Sequence, residues 1–508
     1  MAAFGLHLGT CSACLAVYRD GKTNVIANDL GDRVTPAVVA FTDNEICVGA
    51  AAKQEIIRNA TNTVCHVKRL VGCSIDDPQV KEYIDTSSVH VVKDTGMPLF
   101  EVEQKGKTIR YSPSQIMELI YKKLLETAQS HGGSGIQDAV LAVPPDFDMK
   151  QRNIVSEAAK RAGFNILRVI NEPSAAMLAF DVGQLDQTEH FKALVYRLGG
   201  TSHEAVVFDV EQGMYRIVAE VADYQFGGDK FTEVLQQFLT SEFNRQFRCN
   251  MSDNKRSVSK LGLAAERCKH SLTTMITAQC AVDSLFEGCD FHYNMSRARF
   301  DSLCMPSITK CTSLIEQALF KAGCPKEEIA KVIICGGGAK PPLVKKVIRD
   351  YLPSSTFLNS VPEDEIIAIG AAKEAALLVG GNDADNVRIG NDTSSINFKI
   401  LPKCISIRVR MHSEELEVVI PQHSLVPCRR QHTLTLDAHQ TAVLLEIYQG
   451  DEPASLETSQ LLAKLVMRDL PPGSSIKSNF HLKREGDLHI TCHEVTSDKS
   501  ESINIPCH

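Results

Sequence analysis

The chain has 508 residues, of which 44% are hydrophobic and 23% are charged, and its formal net charge is −8. This length exceeds what one hydrophobic core supports, so several domains are expected, and the composition is that of an ordinary globular protein. The negative charge argues against a general nucleic-acid binder and against direct DNA binding. No apolar run approaches the roughly 20 residues that span a bilayer, so we expect no membrane partner.

The 17 cysteines are scattered, mostly inside apolar segments. The N-terminal residues lack the basic and long apolar regions of a secretory signal, so we expect a cytosolic protein whose reduced thiols pack as small apolar groups. Cys11 and Cys14 form a C-x-x-C pair. No second pair follows at a zinc-binding spacing, and the pair lies on a predicted hairpin, which disfavours metal or redox chemistry there.

A glycine turn between two apolar runs occurs twice. Residues 7–12 read His-Leu-Gly-Thr-Cys-Ser, and residues 197–202 read Arg-Leu-Gly-Gly-Thr-Ser. Glycines let the backbone approach a phosphate, and the N–H groups and hydroxyls of such a turn can bind its oxygens. Two such hairpins predict a duplicated fold that holds one polyphosphate from both sides. A divalent metal would need a carboxylate before each turn, where this chain has His7 and Arg197.

Strands and helices alternate through the first ~185 residues. Ser112-Pro113 starts a helix, residues 139–143 form a strand, and Asp148 caps a helix that Gly163 ends. A strand over 166–170 then leads into a helix over 175–180. The later predicted elements are a hairpin over 193–210, a strand over 215–221, helices over 228–247 and near 257–272, a hairpin over 281–293, a helix from about 305 to 322, a strand over 332–335, and helices over 342–351 and 366–378.

The pattern changes at residues 381–396, where glycine and polar residues predict a linker. Beyond it, short segments of alternating hydrophobicity replace the helical pattern and predict a small β-sandwich. The predicted strands are 405–409, 416–420, 432–436, 443–448, 465–467, 478–483, 488–492 and 502–505.

These motifs, in this order, resemble those of the heat shock 70 chaperone family over the whole chain. The matching segments are 4–18, 67–72, 169–176, 283–288, 296–300, 332–372 and 486–490. The resemblance implies an α/β, actin-like, two-lobed ATPase domain with duplicated ribonuclease-H-like lobes, followed by a small all-β sandwich without a helical lid. Its implied boundaries are lobe I over 1–185, completed by 359–380, lobe II over 186–358, the polar linker over 381–396, and a truncated substrate-binding-type sandwich over 397–508.

The resemblance also implies roles for single residues. Lys68 would contact the terminal phosphate and the attacking water, and Glu172 would orient metal-bound water. The implied ATP contacts are Gly9, Thr10, Arg197, Gly199, Gly200, Thr201, Gly227, Gly228, Glu266, Lys269, His270, Gly337, Gly338, Lys340 and Asp364. From the residues alone, the glycines can equally be turn residues, and residues 266–270 can be a solvated helix face.

The two aspartates with which the family holds magnesium fall at His7 and Arg197. A charge pair about 5 Å apart at an effective dielectric constant of ~20 is worth roughly 3 kcal/mol, so these substitutions disfavour a dication. They do not disfavour the polyphosphate, since Arg197 can donate to it directly. We therefore expect ATP to bind with magnesium in doubt and hydrolysis to be weak or absent. The alternative is a site that no longer binds a ligand.

The polar linker and the missing lid resemble the truncated, ribosome-associated branch of the family. That branch implies a cytosolic, ATP-binding subunit that works with a J-domain partner of the zuotin type at the ribosome, on nascent polypeptides, in protein folding and the stress response. The first alternative is a conventional ATP-hydrolysing chaperone that cycles on its own clients. A sugar kinase of the same superfold and a scaffold without nucleotide are the others. For the sandwich, peptide binding near residues 418–420 and a docking role both stay open.

Overall fold

The computed structural model describes residues 2–19, 21–94, 96–133, 135–182, 190–211, 214–380, 401, 403–409, 416–422, 424, 428–437, 439–450, 454–456, 459–483, 487–494 and 499–506. The chain divides into two compact units, Met1–Asp385 and Asn386–His508, which are described separately. The predicted linker over 381–396 lies outside the described residues. Within the described part of the chain, none of the helices combines the length and the apolar character that crossing a bilayer requires.

Strands and helices alternate in the N-terminal unit. Its first part contains β1 (Ala2–Leu8), β2 (Ser12–Arg19), β3 (Lys22–Val25), β4 (Thr35–Pro36), β5 (Val39–Phe41), β6 (Ile46–Val48), α1 (Ala50–Glu55), β7 (Thr63–Val64), α2 (Pro78–Thr86), β8 (His90–Asp94), β9 (Met97–Gln104), β10 (Lys107–Tyr111), α3 (Pro113–Ala128), β11 (Asp138–Val143), α4 (Met149–Arg161), β12 (Asn165–Asn171) and α5 (Glu172–Ala179). Its second part contains β13 (His190–Leu198), β14 (His203–Glu211), β15 (Met214–Asp223), α6 (Gly228–Phe247), α7 (Lys255–Ser271), β16 (Thr277–Phe286), β17 (Cys289–Ser296), α8 (Arg297–Lys321), β18 (Ile329–Cys335), α9 (Pro342–Tyr351), β19 (Thr356–Leu358) and α10 (Ile366–Gly380).

Side-chain caps explain where α3, α4, α7 and α8 begin. Ser112 and Asp148 each accept a hydrogen bond from the N–H three residues on, which confirms the predicted starts of α3 and α4. The predicted start of α8 near residue 305 was wrong. Ser296 caps this helix by accepting from the N–H of Arg299, and Pro306 lies inside the helix rather than at its first turn. Because Pro306 resembles a helix-start signal, the first two turns of α8 were not predicted.

The two large sheets of this unit share one strand order. The first has the order β12-β11-β1-β2-β3, with β4 added on β2, and the second has the order β19-β18-β13-β14-β15. In both, the first three strands are parallel and the last two pairings are antiparallel. The two glycine hairpins, β1–β2 and β13–β14, therefore occupy equivalent places, as the predicted duplication requires.

The two faces of each sheet bury different side chains, because strand residues alternate in direction. Phe4 and Leu6 of β1 pack in a core with α3 and α4, whereas Ala3 packs in a second core with α5 and α10. In β13, Leu194 joins a third core with α6 to α9, whereas Val195 faces α5 and α10. The inner pair of helices, α5 and α10, therefore lies between the two sheets.

This inner layer is packed at backbone distance. A Cβ atom on Gly5 would lie 2.2 Å from the carbonyl oxygen of Ala368, and one on Gly370 would lie 1.7 Å from that of Ala175. Both positions therefore require glycine. Strand alternation directs the side chains that follow on this face, His7 and Arg197, towards the start of α5.

The C-terminal unit consists of two antiparallel four-stranded sheets. Its strands are β20 (Cys404–Val409), β21 (Glu417–Ile420), β22 (Cys428–Thr435), β23 (Val443–Gly450), β24 (Gln460–Met467), β25 (Ser475–Leu482), β26 (Asp487–Glu494) and β27 (Ser500–Pro506). The orders are β21-β20-β23-β24 and β22-β25-β26-β27. Ile405 and Ile447 of one sheet and Phe480 and Ile490 of the other belong to one buried core. Each of the eight predicted strands is confirmed, most of them with longer bounds.

The contact between α10 and α5 gives a stability prediction. We expect Gly370→Ala to lower the free energy of unfolding of the N-terminal unit by about 1–3 kcal/mol, because the added methyl group forces two backbones apart. Gly262→Ala in α7 is the matched control, since a Cβ atom there would meet only the side-chain amide of Gln236, at 3.1 Å. Urea unfolding followed by circular dichroism measures both. Equal stability of the two variants would contradict the close packing.

Candidate functional site

A buried ion cluster lies where the ends of β1 and β13 meet the start of α5. Glu172, the first residue of α5, has a fully buried side chain. Its Oε1 lies 2.5 Å from Nζ of Lys68 and 3.4 Å from Nε2 of His7, and its Oε2 lies 3.2 Å from Nε of Arg197. One carboxylate therefore contacts three basic side chains, which come from both sheets and from the short helix Val67–Leu70.

Arg197 has a second carboxylate partner. The four-residue turn 199–202 pairs Arg197 of β13 with Glu204 of β14. The Nε atom of Arg197 lies 3.0 Å from Oε2 of Glu204, and its Nη2 donates to the hydroxyl of Ser202 at 3.3 Å. The guanidinium of Arg197 is thus largely committed within the protein. It lines the cavity described below, but it is not the free fork donor to a phosphate that the sequence suggested.

The charges of the cluster follow from burial and pairing. Burial raises the pKa of Glu172, but Lys68, Arg197 and His7 outweigh burial and hold that pKa well below its ordinary value. Burial lowers the pKa of His7, despite the opposing effect of Glu172, so His7 is neutral at neutral pH. Burial raises the pKa of Glu204 to about 7, and Arg197 only partly offsets this. The local positive charge expected from His7 and Arg197 is therefore reduced, because His7 is neutral and Glu172 is ionised.

Three glycine loops converge beside this cluster. A Cβ atom on Gly227 would lie 2.3 Å from the carbonyl oxygen of Gly200, and one on Gly338 would lie 2.5 Å from that of Gly199. Gly228 donates its N–H to the carbonyl of Gly199 at 2.9 Å. The glycine cradle is formed by Gly199, Gly200, Gly227, Gly228 and Gly338. In it, backbone packs against backbone and leaves no room for side chains.

The two hairpin turns have matching hydrogen bonds. The N–H of Gly9 donates to the carbonyl of Ser12, and the N–H of Gly199 donates to that of Ser202, both at 2.8 Å. The turns therefore present the same backbone arrangement from the two sheets, as the repeated motif predicted.

A cavity of about 1460 Å³ lies between these loops, larger than the 300–1,000 Å³ of most small-molecule sites. All of the predicted catalytic and ATP-contacting residues line it except Glu172 and Gly227. Glu172 lies behind Lys68, His7 and Arg197, and Gly227 packs against the loop at Gly200. The predicted residues that line the cavity are Gly9, Thr10, Lys68, Arg197, Gly199, Gly200, Thr201, Gly228, Glu266, Lys269, His270, Gly337, Gly338, Lys340 and Asp364.

The predicted adenosine contacts come from α7 and from the loop after β18. Glu266 pairs with Lys53 at 2.7 Å, and Lys340 pairs with Asp364 at 2.5 Å. Lys269 is buried and donates from Nζ to the carbonyl oxygen of Gly228 at 2.9 Å, so it holds the cradle to α7.

The imidazole of His270 lines the same cavity. Burial and Lys269 lower the pKa of His270 to about 4, so its ring is neutral at neutral pH. A neutral aromatic ring on the cavity wall can stack on a planar base. The contact of each residue with a nucleotide stays a prediction.

Two partners in the site were missed from sequence. Glu204 was detectable, because a four-residue turn after Leu198 places it opposite Arg197. Lys53 was not, since it reaches Glu266 from α1, far away in the chain, without a local pattern.

Comparison with known proteins agrees with the motif order and the site geometry. Residues 3–508 match the family described as Hsp70 protein. The chain belongs to the Hsp70 family. It is 42% identical to heat shock 70 kDa protein 14 of Bos taurus over 509 residues, which cover 99% of each chain. The proteins of that name from Homo sapiens and Danio rerio are also 42% identical, again over 99% of each chain. The resemblance seen in the sequence is confirmed, and it supports a chaperone that binds ATP.

The residues fit the two implied ligands differently. The glycine cradle and the large cavity fit ATP, because a polyphosphate needs close backbone approach. The residues at the ends of β1 and β13 do not fit magnesium. Both carboxylates there, Glu172 and Glu204, already pair with Arg197, and the cations Lys68 and Arg197 oppose a dication.

The buried Glu204 gives a pH prediction. Its pKa of about 7 in the folded chain exceeds the ordinary value of 4.5, so the folded state holds this proton more tightly than the unfolded state does. Ionisation of the Glu204 carboxyl therefore lowers the unfolding free energy of wild type as the pH rises from about 4.5 to 7. The glutamine in Glu204→Gln does not titrate. We expect the unfolding free energy of the variant, relative to that of wild type, to increase across this window in urea unfolding. A difference that is constant or falls would mean that Arg197 keeps Glu204 ionised throughout.

Proposed function

We propose that this chain is a nucleotide-binding chaperone subunit that holds ATP and hydrolyses it weakly or not at all. One observation carries the proposal. The chain's own cations, Lys68 and Arg197, pair with Glu172 at the place where a metal-dependent site needs free carboxylates. The nucleotide cavity is retained, whereas the free carboxylates that would hold magnesium beside it are not.

The proposed architecture is an actin-like ATPase domain followed by a substrate-binding-type sandwich. Lobe I would comprise residues 1–185 and 359–380, and lobe II residues 186–358. The repeated strand order of the two sheets supports two related lobes. The boundary between the compact units, after Asp385, falls within the proposed linker over 381–396. The single core shared by the two C-terminal sheets supports a sandwich over 397–508.

Retained nucleotide binding rests on the cradle. The loops at Gly9, Gly199 and Gly338 are the proposed phosphate contacts, and α7 with Glu266 and His270 is the proposed contact for the nucleoside. The phosphates face Lys68 and Arg197, so these residues can neutralise part of their charge without a metal ion.

Weak hydrolysis follows from how the catalytic pair is held. Lys68 lies 2.5 Å from the carboxylate of Glu172, which is fully buried and does not line the cavity. A carboxylate that is paired with three basic groups and shielded from the cavity cannot orient an attacking water. Lys68 remains the group of this pair that reaches the nucleotide.

The proposed biological setting is a cytosolic, ribosome-associated complex with a J-domain partner of the zuotin type, assisting nascent polypeptides. In this setting the chain would act as a regulatory subunit beside a second, fully active chaperone. The similarity along the whole chain to heat shock 70 kDa protein 14 is consistent with this proposal. The ion cluster argues against the alternative, an independently cycling ATPase.

Nucleotide binding and cleavage test the proposal directly. We expect the purified, metal-free chain to bind ATP with an affinity that added magnesium changes less than about twofold, and to show no burst of product in a single turnover. The His7→Asp/Arg197→Asp double variant removes the cations beside Glu172 and adds carboxylates. Its ATP affinity should depend on magnesium by at least tenfold, which corresponds to about 1.4 kcal/mol.

The matched control is His90→Asp/Arg110→Asp. These two side chains are more than half exposed and both pair with Glu101, away from the cavity, so the change in charge is the same. This variant should behave as wild type. Magnesium-dependent cleavage by the wild-type chain in a single turnover would contradict the proposal and identify a working ATPase.

Ribosome association is tested by sedimentation. We expect the purified chain to sediment with ribosomes through a sucrose cushion only when a zuotin-type J-domain protein is present, because contact with the ribosome is proposed to pass through that partner. Sedimentation of the chain alone would mean direct contact. Failure to sediment in both conditions would refute the proposed complex.

A further inference from the structure

A second cluster of ligand-type side chains lies at the wall of the same cavity. Cys11 follows the first glycine turn, His66 precedes the helix Val67–Leu70, and Asp229 lies in the first turn of α6. Each offers one potential ligand atom, and the three atoms lie within 4.8 Å of one another. Three distant segments of the N-terminal unit thus bring a thiol, an imidazole and a carboxylate together.

Two of the three spacings match tetrahedral coordination. The Oδ2 atom of Asp229 lies 3.5 Å from Sγ of Cys11 and 3.5 Å from Nε2 of His66. Zinc ligands at about 2.3 Å for sulfur and about 2.0–2.2 Å for nitrogen or oxygen stand roughly 3.3–3.7 Å apart in a tetrahedron. The two shortest separations therefore need no rearrangement to accept an ion.

The backbone at His66 is a further sign that this position is constrained. Its φ angle is 54°, in the left-handed region that residues with a side chain rarely adopt. The same conformation places the imidazole beside Asp229. Local sequence does not explain it, because no glycine or turn motif is present at 65–67. Such outliers gather at ligand sites.

We propose that Cys11, His66 and Asp229 form a site for a zinc-class divalent ion with one coordination position open to the cavity. Thiolate and imidazole are ligands for zinc, whereas magnesium prefers oxygen and is excluded here by the sulfur. Cys11 and Asp229 both line the cavity, so the fourth position faces the space proposed for the nucleotide phosphates. The metal-binding step goes beyond the proposed function and does not depend on it.

The surroundings allow such an ion. The nearby cation Lys269 is held by other partners, since its Nζ donates to the carbonyl of Gly228 and to the hydroxyl of Thr232. Without metal, the thiol of Cys11 donates weakly to Asp229, and binding replaces this contact with coordination. The side chains of His66 and Asp229 are 35% and 44% exposed, so an ion has a path of entry.

Another cluster on the chain provides a matched control. Asp283, Asp290 and His292 also group three ligand atoms, but all three residues are exposed and none offers a thiol. Asp290 in addition accepts a hydrogen bond from the N–H of Ser284. We expect this cluster to bind zinc more weakly than the cluster at Cys11, and its variants to leave tight binding unchanged.

Cobalt(II) is the probe, because its spectrum reports both thiolate ligation and tetrahedral geometry. The reduced, metal-free, full-length chain is titrated with Co²⁺ without nucleotide, and Zn²⁺ is then added in competition. We expect intense visible bands and a thiolate-to-cobalt charge-transfer band that reach a plateau at one equivalent and disappear with Zn²⁺.

Cys11→Ser should remove the charge-transfer band. His66→Ala and Asp229→Asn should weaken cobalt binding more than about tenfold, since even partners outside the coordination shell contribute 10–100-fold. His292→Ala should match wild type.

The other sixteen cysteines make the comparison with Cys11→Ser decisive. A charge-transfer band of wild-type intensity in Cys11→Ser would overturn the proposal, as would its absence from the wild-type chain. Asp229→Asn reports even if the cysteine variant folds poorly, because the Asp229 side chain is 44% exposed and the substitution keeps its size. Unchanged cobalt affinity in this variant would equally overturn the site. Failure of the nucleotide proposal would not affect these readouts, which use the metal alone.

Discussion

The structure of the large cavity depends on the burial of one carboxylate among three basic groups. Glu172 has no solvent exposure, and an isolated charge in that position would be strongly destabilising. Lys68, His7 and Arg197 compensate it from three separate elements, so the two hairpins and α5 must assemble together for any of these charges to be accommodated. Removing Glu172 would leave Lys68 in the interior without its carboxylate partner.

Much of the fold was accessible from sequence because its signals are local. The glycine turns, the caps at Ser112 and Asp148 and the alternation of the C-terminal strands each lie within a few residues, and each was predicted. The start of α8 was missed because Pro306 resembles a first-turn proline, whereas the true cap at Ser296 follows directly on a strand. Local signals therefore predicted most helices and strands. They failed at α8, where two possible start signals occur, Ser296 before the helix and Pro306 within it.

The site was only partly predictable, for the same reason. The family resemblance identified the residues that line the cavity, including Gly199 and Lys340. It did not show that Arg197 is occupied by Glu172, because that contact joins a strand end to a helix start in another part of the chain. Cys11 was assessed against Cys14, its neighbour in sequence, although its neighbours in space are Asp229 and His66. Charge pairing and ligand geometry are tertiary properties.

The position of α10 has a consequence for how the chain folds during synthesis. This helix covers the inner face of β1, yet it consists of residues 366–380 and is made more than 350 residues after that strand. Until it emerges from the ribosome, Gly5 and the inner face of the first sheet lack their packing partner, and apolar surface stays exposed. The N-terminal unit therefore closes its central core at the end of its own translation, and it is itself a nascent chain with prolonged exposure to aggregation.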